Sequence, residues 1–528
     1  MNKILKIGTR GSELALWQAE HLKASLAKIN IESELVIITT KGDKDYRPLK
    51  DIAGDGFFTK ALENELFAEN VDLAIHSCKD LASMKLAQLP WRGFGPRAVT
   101  KDVLILHRDH IDNKELADLK IGTSSPRRVA QLKKYFPKAQ ALELRGNVPT
   151  RINKVLSEDY DAIILAKAGL MRLGLLDKLP SDLLAIDLDW TTAPCQGILA
   201  IQAKQEILNR IDELFDPELD RIAQIEKSVL AYLGGGCHMA VGAQIEKQDD
   251  GYQFSFFFEN EKQQIQDFVK KYNSLESLEA EIFSDIAEAS GSKELILTHN
   301  LVNHKKVYSL AAGKNILCRS LPMIEVKSAV HPREFHEKLE ELKKLKAFIF
   351  TSQNAVKIFF LELVNQNFDF DFLKDKSLIS IGAATAKKIK DFGFDSIQPD
   401  SESSSKGLIE LLNKDYKAGD SLALIGGEQS HLLKYRNQVN AKLLHFVVYR
   451  TEKTQKKHPF SEKAAISFAN PKAVENFVSV YGKEVLNNKN IFVIGPSTAA
   501  SLEALGFDVQ QAKNSGSWED LLQLVEKN

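Results

Sequence analysis

The sequence is poor in the features that mark secreted, metal-binding and nucleic-acid-binding proteins. Its 528 residues include four cysteines, Cys78, Cys195, Cys237 and Cys318, which are too few and too widely spaced for a disulfide framework or a paired zinc site. The 70 basic and 71 acidic residues leave a net charge of −1, whereas a general nucleic-acid or membrane-surface binder carries a basic excess. We therefore expect free thiols, as in the reducing cytosol, and no nucleic-acid or membrane partner.

Long hydrophobic runs are also missing. The start, MNKILKIGTRGSELALW, lacks the apolar segment and cleavage site of a signal peptide. The longest apolar stretches, such as LILTHNLV and HFVVY, are far shorter than the roughly 20 residues that cross a bilayer. No GxxxxGK[ST] phosphate loop occurs, and His76 and His238 lack the partner spacing of a metal site. These absences predict a cytoplasmic protein without a metal.

What the sequence does contain is typical of a globular protein with several domains. Hydrophobic residues make up 44% and charged residues 27% of the chain. Arginine is unevenly distributed, because 12 of the 16 arginines lie at or before Arg221. Arginine suits bidentate recognition of carboxylate or phosphate, whereas surface lysine mostly solubilises. The first half is therefore predicted to surround an anionic ligand.

The hydrophobic pattern indicates three kinds of region. Up to about residue 215, short β-rich runs alternate with amphipathic helices, which predicts an α/β architecture with mainly parallel sheets. Residues 217–288 read as a small α+β domain, with a linker at Gly291-Ser292. From 293 a second α/β region contains an internal echo, since KAFIFTSQNAVKIFF and LISIGAATA resemble AAISFANPKAVENFV and IFVIGPSTA. The echo predicts two similar domains.

Arginines and hydroxyl residues follow several predicted strands, where α/β folds bind ligands. The segment IGTSSPRRV places three hydroxyl residues and two arginines at a strand-to-helix junction, which favours an anion. The alternative is a capped helix with two solvent-facing arginines. Arginines also occur in LRGNVPTR, near the N-terminus and in LMRLG, and so many positive charges favour a polycarboxylate ligand over a single phosphate.

Two further positions carry chemistry or have a plain structural explanation. Lys79-Asp80 is either a structural ion pair or an acid that the basic cluster keeps ionised, suited to stabilising a cationic intermediate. Cys237 follows three glycines. It is either a small buried hydrophobe or an exposed thiol suited to covalent attachment.

Six ordered motifs over residues 3–288 resemble hydroxymethylbilane synthase, also called porphobilinogen deaminase. They are IGTRGSELALWQA, LAIHSCKD, IGTSSPRR, LRGNVPTR, DAIILAKAGLMRLGL and LGGGC. The resemblance implies an enzyme that joins four porphobilinogen units head to tail with loss of ammonia. It also implies a dipyrromethane cofactor in thioether linkage to Cys237, and catalysis by Asp80.

The same resemblance assigns the remaining site residues of this half. Those implied to hold the cofactor are Lys79, Asp80, Thr123, Ser124, Ser125, Arg127, Arg128, Arg145 and Gly146. Those implied to hold substrate are Arg10, Ser12, Gln18, Arg145, Asn147, Arg151 and Arg172.

The second half, about 293–528, is similar to uroporphyrinogen-III synthase in the order of IFTSQNAV, IGAATA, SSSKGL, VVYRT, FANPKAV and IGPSTA. That family closes the linear tetrapyrrole with inversion of ring D and loss of water, using two α/β domains around a cleft. The resemblance implies catalysis by Tyr449 and substrate contacts from Ser352, Thr385 and Thr498. A purely structural second half is the alternative.

Together the resemblances predict a bifunctional tetrapyrrole enzyme that acts as a monomer. The alternatives are activity of the first half alone, or a non-catalytic anion-binding receptor. The expected fold is two periplasmic-binding-protein-like α/β domains, a small α+β domain and a two-domain α/β synthase module. The expected ranges are 1–95 with 190–215 and 96–189 for the first two deaminase domains, 216–290 for the cofactor-attachment domain, 291–326 with 452–528 for synthase domain 1, and 327–451 for synthase domain 2.

Overall fold

Five β-sheets organise the described part of the chain. The computed structural model describes residues 4–39, 59–83, 89–157, 159–233, 239–260, 263–298, 305–330, 332–366, 368–399, 405–428, 430–454, 457–512 and 517–528. Contacts divide the chain into two units, Met1–Leu321 with Lys457–Asn528, and Pro322–Lys456. Among these described residues, no helix has both the length and the apolar character needed to span a membrane.

The first lobe is built from the N-terminal segment and a strand that returns later in the chain. Its elements are β1 (Leu5–Thr9), α1 (Glu13–Lys28), β2 (Ser33–Ile37), α2 (Lys60–Phe67), β3 (Leu73–Ser77), β4 (Trp91–Phe94), β10 (Leu199–Ala203) and α6 (Gln205–Arg210). The sheet order is β2-β1-β3-β10-β4, with β10 antiparallel to both neighbours. Ser12 precedes α1 and accepts a hydrogen bond from the amide of Ala15, which caps the first turn.

The second lobe lies between the two passes of the chain through the first. Its elements are β5 (Asp102–His107), β6 (Lys120–Gly122), α3 (Pro126–Tyr135), β7 (Gln140–Leu142), α4 (Val148–Leu156), β8 (Ala162–Ala166), α5 (Lys167–Arg172) and β9 (Leu183–Leu188). The sheet order is β7-β6-β8-β5-β9. The two crossing segments are joined by a hydrogen bond from Ala98 N to Gly197 O at 3.0 Å. Gly197 has φ +87°, and a Cβ there would lie 2.4 Å from Ala98 O, so this approach requires glycine.

The third domain packs two helices against an antiparallel sheet. Its elements are α7 (Pro217–Tyr232), β11 (Ala240–Gln248), β12 (Gly251–Glu259), β13 (Ile265–Tyr272) and α8 (Leu275–Ala289). The alternation in YQFSFFFE sends Phe254 and Phe256 into a core that also contains Phe283 of α8. Ser274 and Ser277 form a reciprocal capping box at the start of α8.

The C-terminal domain completes the first unit with a parallel sheet. Its elements are β14 (Lys293–Leu297), α9 (Lys305–Ala312), β15 (Ile316–Ser320), β21 (Ala465–Phe468), α14 (Pro471–Tyr481), β22 (Ile491–Val493), α15 (Pro496–Glu503), β23 (Gln510–Gln511) and α16 (Trp518–Lys527). The strand order is β15-β14-β21-β22-β23, and every pairing is parallel.

The inserted unit, Pro322–Lys456, has its own sheet and core. Its elements are β16 (Ile324–Ser328), α10 (Pro332–Leu342), β17 (Ala347–Phe350), α11 (Gln353–Asn365), β18 (Ser377–Ser380), α12 (Ala383–Lys390), α13 (Ser405–Asp415), β19 (Ser421–Gly427) and β20 (Lys442–Lys453). The order is β16-β20-β19-β17-β18, with β16 alone antiparallel to its neighbour.

The predicted multidomain α/β class is confirmed, with one difference in the first half. Both lobe sheets are mixed rather than mainly parallel, because β10 and β5 run against their neighbours. Both β5 and β10 come directly after the chain has crossed from one lobe to the other. Each of these strands therefore enters its sheet from the end at which the neighbouring strands leave it. In the second half, the expected boundary at 326/327 falls inside β16, which pairs with β20 of the inserted unit. The expected boundary at 451/452 likewise falls inside β20, and boundaries at 321/322 and 456/457 keep both strands whole.

Candidate active sites

The turn after β3 carries the Lys79-Asp80 pair. β3 ends at Ser77, and Cys78–Asp80 form a single 3₁₀ turn. Lys227 on α7 donates a hydrogen bond from Nζ to the carbonyl of Lys79 at 3.0 Å. Asp80 is exposed, so its carboxylate is accessible to a ligand. The third domain therefore holds the turn that presents the predicted catalytic acid.

The arginine pair at the start of α3 is buried against an aspartate that the motif analysis missed. Arg127 donates from Nη2 to Asp102 Oδ2 at 2.8 Å, and Arg128 donates from Nη2 to Asp102 Oδ1 at 2.6 Å. Burial works to raise the pKa of Asp102, but the two guanidinium groups outweigh it and hold that pKa well below its usual range. The alternative of solvent-facing arginines is wrong. Part of the positive charge of this pair is therefore offset within the protein itself.

The same pair retains capacity for a cofactor. The Nε atoms of Arg127 and Arg128 are buried and have no hydrogen-bond partner among the described residues. A buried donor without a partner is costly, by about 1–3 kcal/mol. A carboxylate-bearing group placed beside these atoms removes that cost. The chemistry of the pair therefore fits an anionic dipyrromethane.

Gln196 connects the arginine pair to the Lys79 turn. Its Nε2 donates to Asp102 Oδ1 at 2.9 Å, and its Oε1 accepts a longer bond from Lys79 Nζ at 3.4 Å. Burial lowers the pKa of Lys79 to about 8, although the Asp80 carboxylate opposes this shift. Side chains from both lobes thus form one network around the predicted cofactor site.

The LRGNVPTR segment places two more arginines beside this network. Arg151 donates from Nε to Gly146 O at 2.7 Å, and Arg145 contacts Glu143 at 3.2 Å. Burial, Arg128 and Arg145 together lower the pKa of Arg151 to about 10, whereas Asp80 raises it. These charge interactions place Arg151 within electrostatic reach of Arg128 and of Asp80, and Arg145 within reach of Arg151. Asn147 caps α4 by accepting from the amide of Thr150 at 2.9 Å.

The three hydroxyl residues are engaged within the protein to different degrees. Ser124 donates to Leu144 O and accepts from Leu144 N, which ties the junction to the LRGNVPTR segment. Thr123 accepts from Ser125 N at 3.3 Å. Ser125 precedes α3 but makes no side-chain cap bond. Its hydroxyl is therefore better placed for a ligand than that of Ser124.

The predicted substrate residues of the first lobe surround the start of α1. Gln18 is buried and donates to Ser77 Oγ at 2.9 Å, next to the Lys79 turn. Arg10 directly follows β1 and lies within electrostatic reach of buried His76 on β3. Arg172 on α5 lies over the Trp17 ring at 5.6 Å and donates to Gly197 O at 2.8 Å. It thus links the second lobe to α1 and to the crossing segments.

Cys237, together with Gly234–Gly236 and His238, lies outside the described residues. The described chain reaches the site at Leu233, directly after α7. The other three cysteines are buried and free, as expected for structural thiols. The attachment position at Cys237 therefore stays a prediction from the sequence motif.

A second buried acid, also missed in the sequence, secures the crossing segments. Glu226 on α7 is fully buried and receives bonds from Arg97 Nη1 at 2.7 Å and Nη2 at 3.0 Å. The amides of Cys195 and Ile245 donate to it as well. Asp102 directly precedes the apolar run VLIL, and an acid beside an apolar run is the sequence signal that could have identified it, whereas Glu226 lies among polar residues and gives no such signal.

In the inserted unit, two predicted residues meet. Ser352 caps α11 by accepting from Ala355 N, and its Oγ lies 3.1 Å from Tyr449 Oη. A Cβ on Gly427 would lie 2.6 Å from the Tyr449 ring, so glycine is needed for this packing. Thr385 is buried in the first turn of α12. Thr498 is buried in the first turn of α15, in the first unit.

The fold and the site residues of the first half indicate the class of protein to which the chain belongs. The first half is a two-lobed α/β scaffold that gathers arginines, lysine and one exposed aspartate at strand ends, with a third domain on the same site. Among the described residues, no group of three His, Cys, Asp or Glu side chains could hold a metal ion. This is the arrangement of an enzyme for a polycarboxylate substrate.

Comparison with known proteins identifies the family. Residues 5–210 match the family model described as porphobilinogen deaminase, dipyromethane cofactor binding domain. Residues 314–523 match the model described as uroporphyrinogen-III synthase HemD. The chain belongs to the porphobilinogen deaminase family and carries a uroporphyrinogen-III synthase domain after it.

The relatives match the first half of the chain. Porphobilinogen deaminase of Cytophaga hutchinsonii is 39% identical over 260 residues, which cover 48% of this chain and 82% of the relative. That of Lachnospira eligens is 41% identical over 255 residues, covering 47% and 85%. Among solved structures, a mutant uroporphyrinogen III synthase from the extremely thermophilic bacterium Thermus thermophilus aligns with a TM-score of 0.33 at 17% identity, covering 45% of this chain and all of the other.

Proposed function

We propose that the chain carries out two consecutive steps of tetrapyrrole synthesis. The first half joins four porphobilinogen molecules with release of one ammonia each, and water then releases the linear product as hydroxymethylbilane. The second half closes that product with inversion of ring D to uroporphyrinogen III. The observation that supports the first activity most is the network of Lys79, Gln196, Asp102, Arg127 and Arg128 across the two lobes.

The arginines bind and orient the substrate. Each pyrrole unit carries two carboxylates, so a growing chain brings many negative charges into the site. We assign Arg10, Arg145, Arg151 and Arg172 to these carboxylates, together with Ser12, Gln18 and Asn147 as neighbouring polar contacts. Charge-assisted bonds of this kind contribute roughly 1.5–3 kcal/mol each.

Cys237 would hold the dipyrromethane, which when bound would offer a free α-carbon for the first addition. We assign its carboxylates to Arg127, Arg128 and Arg145, with Lys79, Thr123, Ser124, Ser125 and Gly146 as further contacts. Asp102 forms an ion pair with each of the two buried arginines and fixes their orientation. Prearranged charges need no reorganisation when the ligand binds.

Asp80 is the proposed catalytic residue of the first reaction. Loss of ammonia leaves a cation on porphobilinogen, delocalised over the pyrrole nitrogen. An exposed carboxylate beside the ring N–H stabilises that cation and the positive charge after each bond forms. The nucleophile is a pyrrole carbon, so no side chain has to attack.

Tyr449 is the proposed catalytic residue of the second reaction. Its hydroxyl assists departure of the hydroxyl group of hydroxymethylbilane, and its contact with Ser352 Oγ orients it. Ser352, Thr385 and Thr498 are the proposed substrate contacts. Arginine is scarce in this half, so hydroxyl and backbone N–H groups would supply the binding.

The proposal includes the domain assignment, with the synthase boundaries moved to 321/322 and 456/457. It also includes a monomer in the cytoplasm without a nucleic-acid partner. The near-zero net charge and the buried free thiols support this setting. Sedimentation of the purified chain at several concentrations tests the monomer.

The deciding experiment is incubation with porphobilinogen, followed by separation of the uroporphyrinogen isomers. Isomer III establishes both activities, whereas isomer I alone, formed by closure without inversion, shows that only the first half is active. No consumption of porphobilinogen, with Cys237 unmodified by intact-mass measurement, would favour an anion-binding receptor instead.

A further inference from the structure

The C-terminal domain packs directly on α7 and α8 of the third domain, and α7 ends at Tyr232, shortly before the predicted attachment position. β14 begins at Lys293, four residues after α8 ends. Leu317 of β15 belongs to the hydrophobic core of the third domain. The synthase half thus contributes to the interior of the deaminase half.

A buried arginine of the C-terminal domain lies at the centre of this contact. Arg319 is 8% exposed, and its guanidinium carbon lies 4.1 Å from the centre of the Phe283 ring on α8. Its Nη1 donates to Pro459 O at 3.0 Å. Tyr232 packs edge-on against the same ring, with centroids 4.9 Å apart, and donates its hydroxyl to Phe283 O at 3.1 Å. Phe283 is therefore held between Arg319 and Tyr232.

Acidic groups surround this contact. Glu294 of β14 is buried and accepts a bond from Ser284 on α8. Glu279 of α8 accepts from Arg221 Nη2 at 3.0 Å and lies 3.3 Å from His458 Nδ1. Burial lowers the pKa of Arg319, whereas Glu294 and Glu279 favour its charged form. A buried charge at a domain contact adds little stability over an apolar residue, but it fixes the geometry of the contact.

Tyr232 connects this contact to the predicted cofactor attachment position. Tyr232 is the last residue of α7, and Cys237 follows five residues later. The same helix carries Lys227, which holds the turn of Lys79 and Asp80. We propose that Arg319, a residue of the synthase half, is a positioning residue of the deaminase that acts through Phe283 and Tyr232 on the end of α7. This inference rests on the proposed function of the first half.

The test compares variants of the full-length chain. Arg319→Met keeps the length of the side chain and removes its charge and planar stacking. We expect the fraction of protein that carries the dipyrromethane, measured by intact mass, to fall after limited exposure to porphobilinogen. We also expect kcat of the loaded enzyme to fall about tenfold with KM unchanged, because small displacements of a reacting group are costly in rate.

Two further variants make the result decisive. Arg319→Lys restores the charge without the planar group, and it is expected to recover only part of the loading. Lys463→Met removes an exposed pair with Glu288 across the same contact and should behave like the wild type. If Arg319→Met is folded by circular dichroism and loads and turns over like Lys463→Met, the inference is wrong. If Arg319→Met does not fold, Arg319→Lys decides, and wild-type loading and kcat would overturn the inference.

Failure of the inference is distinguishable from failure of the proposed function. If the wild-type chain neither acquires the cofactor nor consumes porphobilinogen, the proposed function itself is refuted. If the wild type does both and the Arg319 variants do the same, only the positioning role is refuted.

Discussion

The two lobes and the inserted unit present their candidate sites through different chemistry. In the lobes, buried Arg127 and Arg128 are paired with Asp102, and their Nε atoms have no hydrogen-bond partner among the described residues. In the inserted unit, a tyrosine and a serine hydroxyl meet at 3.1 Å beside a glycine pair. A cluster of arginines in the sequence indicates an anionic ligand. Hydroxyl residues at strand ends, in contrast, cannot be told from ordinary helix caps. The same kind of substrate is therefore far easier to infer in one half than in the other.

The largest expected effect separates the two halves completely. Cys237→Ala removes the thiol to which the cofactor is attached, so the protein should show no dipyrromethane by intact mass and no porphobilinogen consumption. Conversion of supplied hydroxymethylbilane to uroporphyrinogen III should persist, because the second site has no part in attachment. Cys318→Ala, at a buried structural thiol, is the control. Normal porphobilinogen turnover in Cys237→Ala would contradict the assignment.

Asp80→Ala separates cofactor attachment from catalysis within the first half. The variant should retain the cofactor, yet lose about 10²–10³-fold in kcat, because the cation formed on loss of ammonia lacks its carboxylate. Release of ammonia under saturating porphobilinogen measures the effect. Glu20→Ala, an exposed acid on α1, is the matched control. A near-normal rate in Asp80→Ala would refute the assigned role.

Tyr449→Phe should produce the reverse pattern. Deaminase turnover is expected to stay normal, while ring closure slows by about 10²-fold through loss of the assisting hydroxyl. The uroporphyrinogen formed from porphobilinogen should shift from isomer III to isomer I. Tyr416→Phe, a tyrosine buried in another core of the same unit, is the control. An unchanged isomer ratio would remove Tyr449 from the mechanism.

Asp102→Asn tests whether the arginine pair depends on its internal partner. Removal of one member of a buried ion pair leaves uncompensated charge, and we expect destabilisation of about 3–5 kcal/mol. Urea unfolding followed by fluorescence measures it. Asp189→Asn, at an almost fully exposed carboxylate paired with Lys101, should leave the transition in place. Equal midpoints for the two variants would show that the buried pair adds nothing.

The smallest expected effect concerns pH. Burial lowers the pKa of Lys79 to about 8, so its ammonium is charged below that pH and neutral above it. The KM for porphobilinogen should therefore rise several-fold as pH increases through about 8, since a positive charge is lost from the site. Lys79→Arg stays charged and should flatten this rise. A pH profile of KM that is identical in wild type and Lys79→Arg would contradict the interpretation.

Local sequence patterns were enough to predict the two reactions and the order of their domains along the chain. Hydrophobic periodicity predicted the α/β elements, and motif order predicted both activities, because these signals are local and repeat at fixed spacing. Asp80 and Tyr449 could be named because each stands inside a compact motif. The attachment at Cys237 is likewise inferred from its glycine-rich motif and remains a prediction.

The partners of the buried charged side chains, in contrast, could be found only from the tertiary structure. Asp102 and Gln196 are 94 residues apart, and Arg97 reaches Glu226 across 129 residues. No local pattern records such partners, because burial and pairing depend on which strands become neighbours. The antiparallel course of β5 and β10, and the packing of Arg319 on Phe283, follow from the path of the chain between domains. Long-range packing therefore set the electrostatics of the site and brought in Asp102 and Gln196, which the sequence motifs had not indicated.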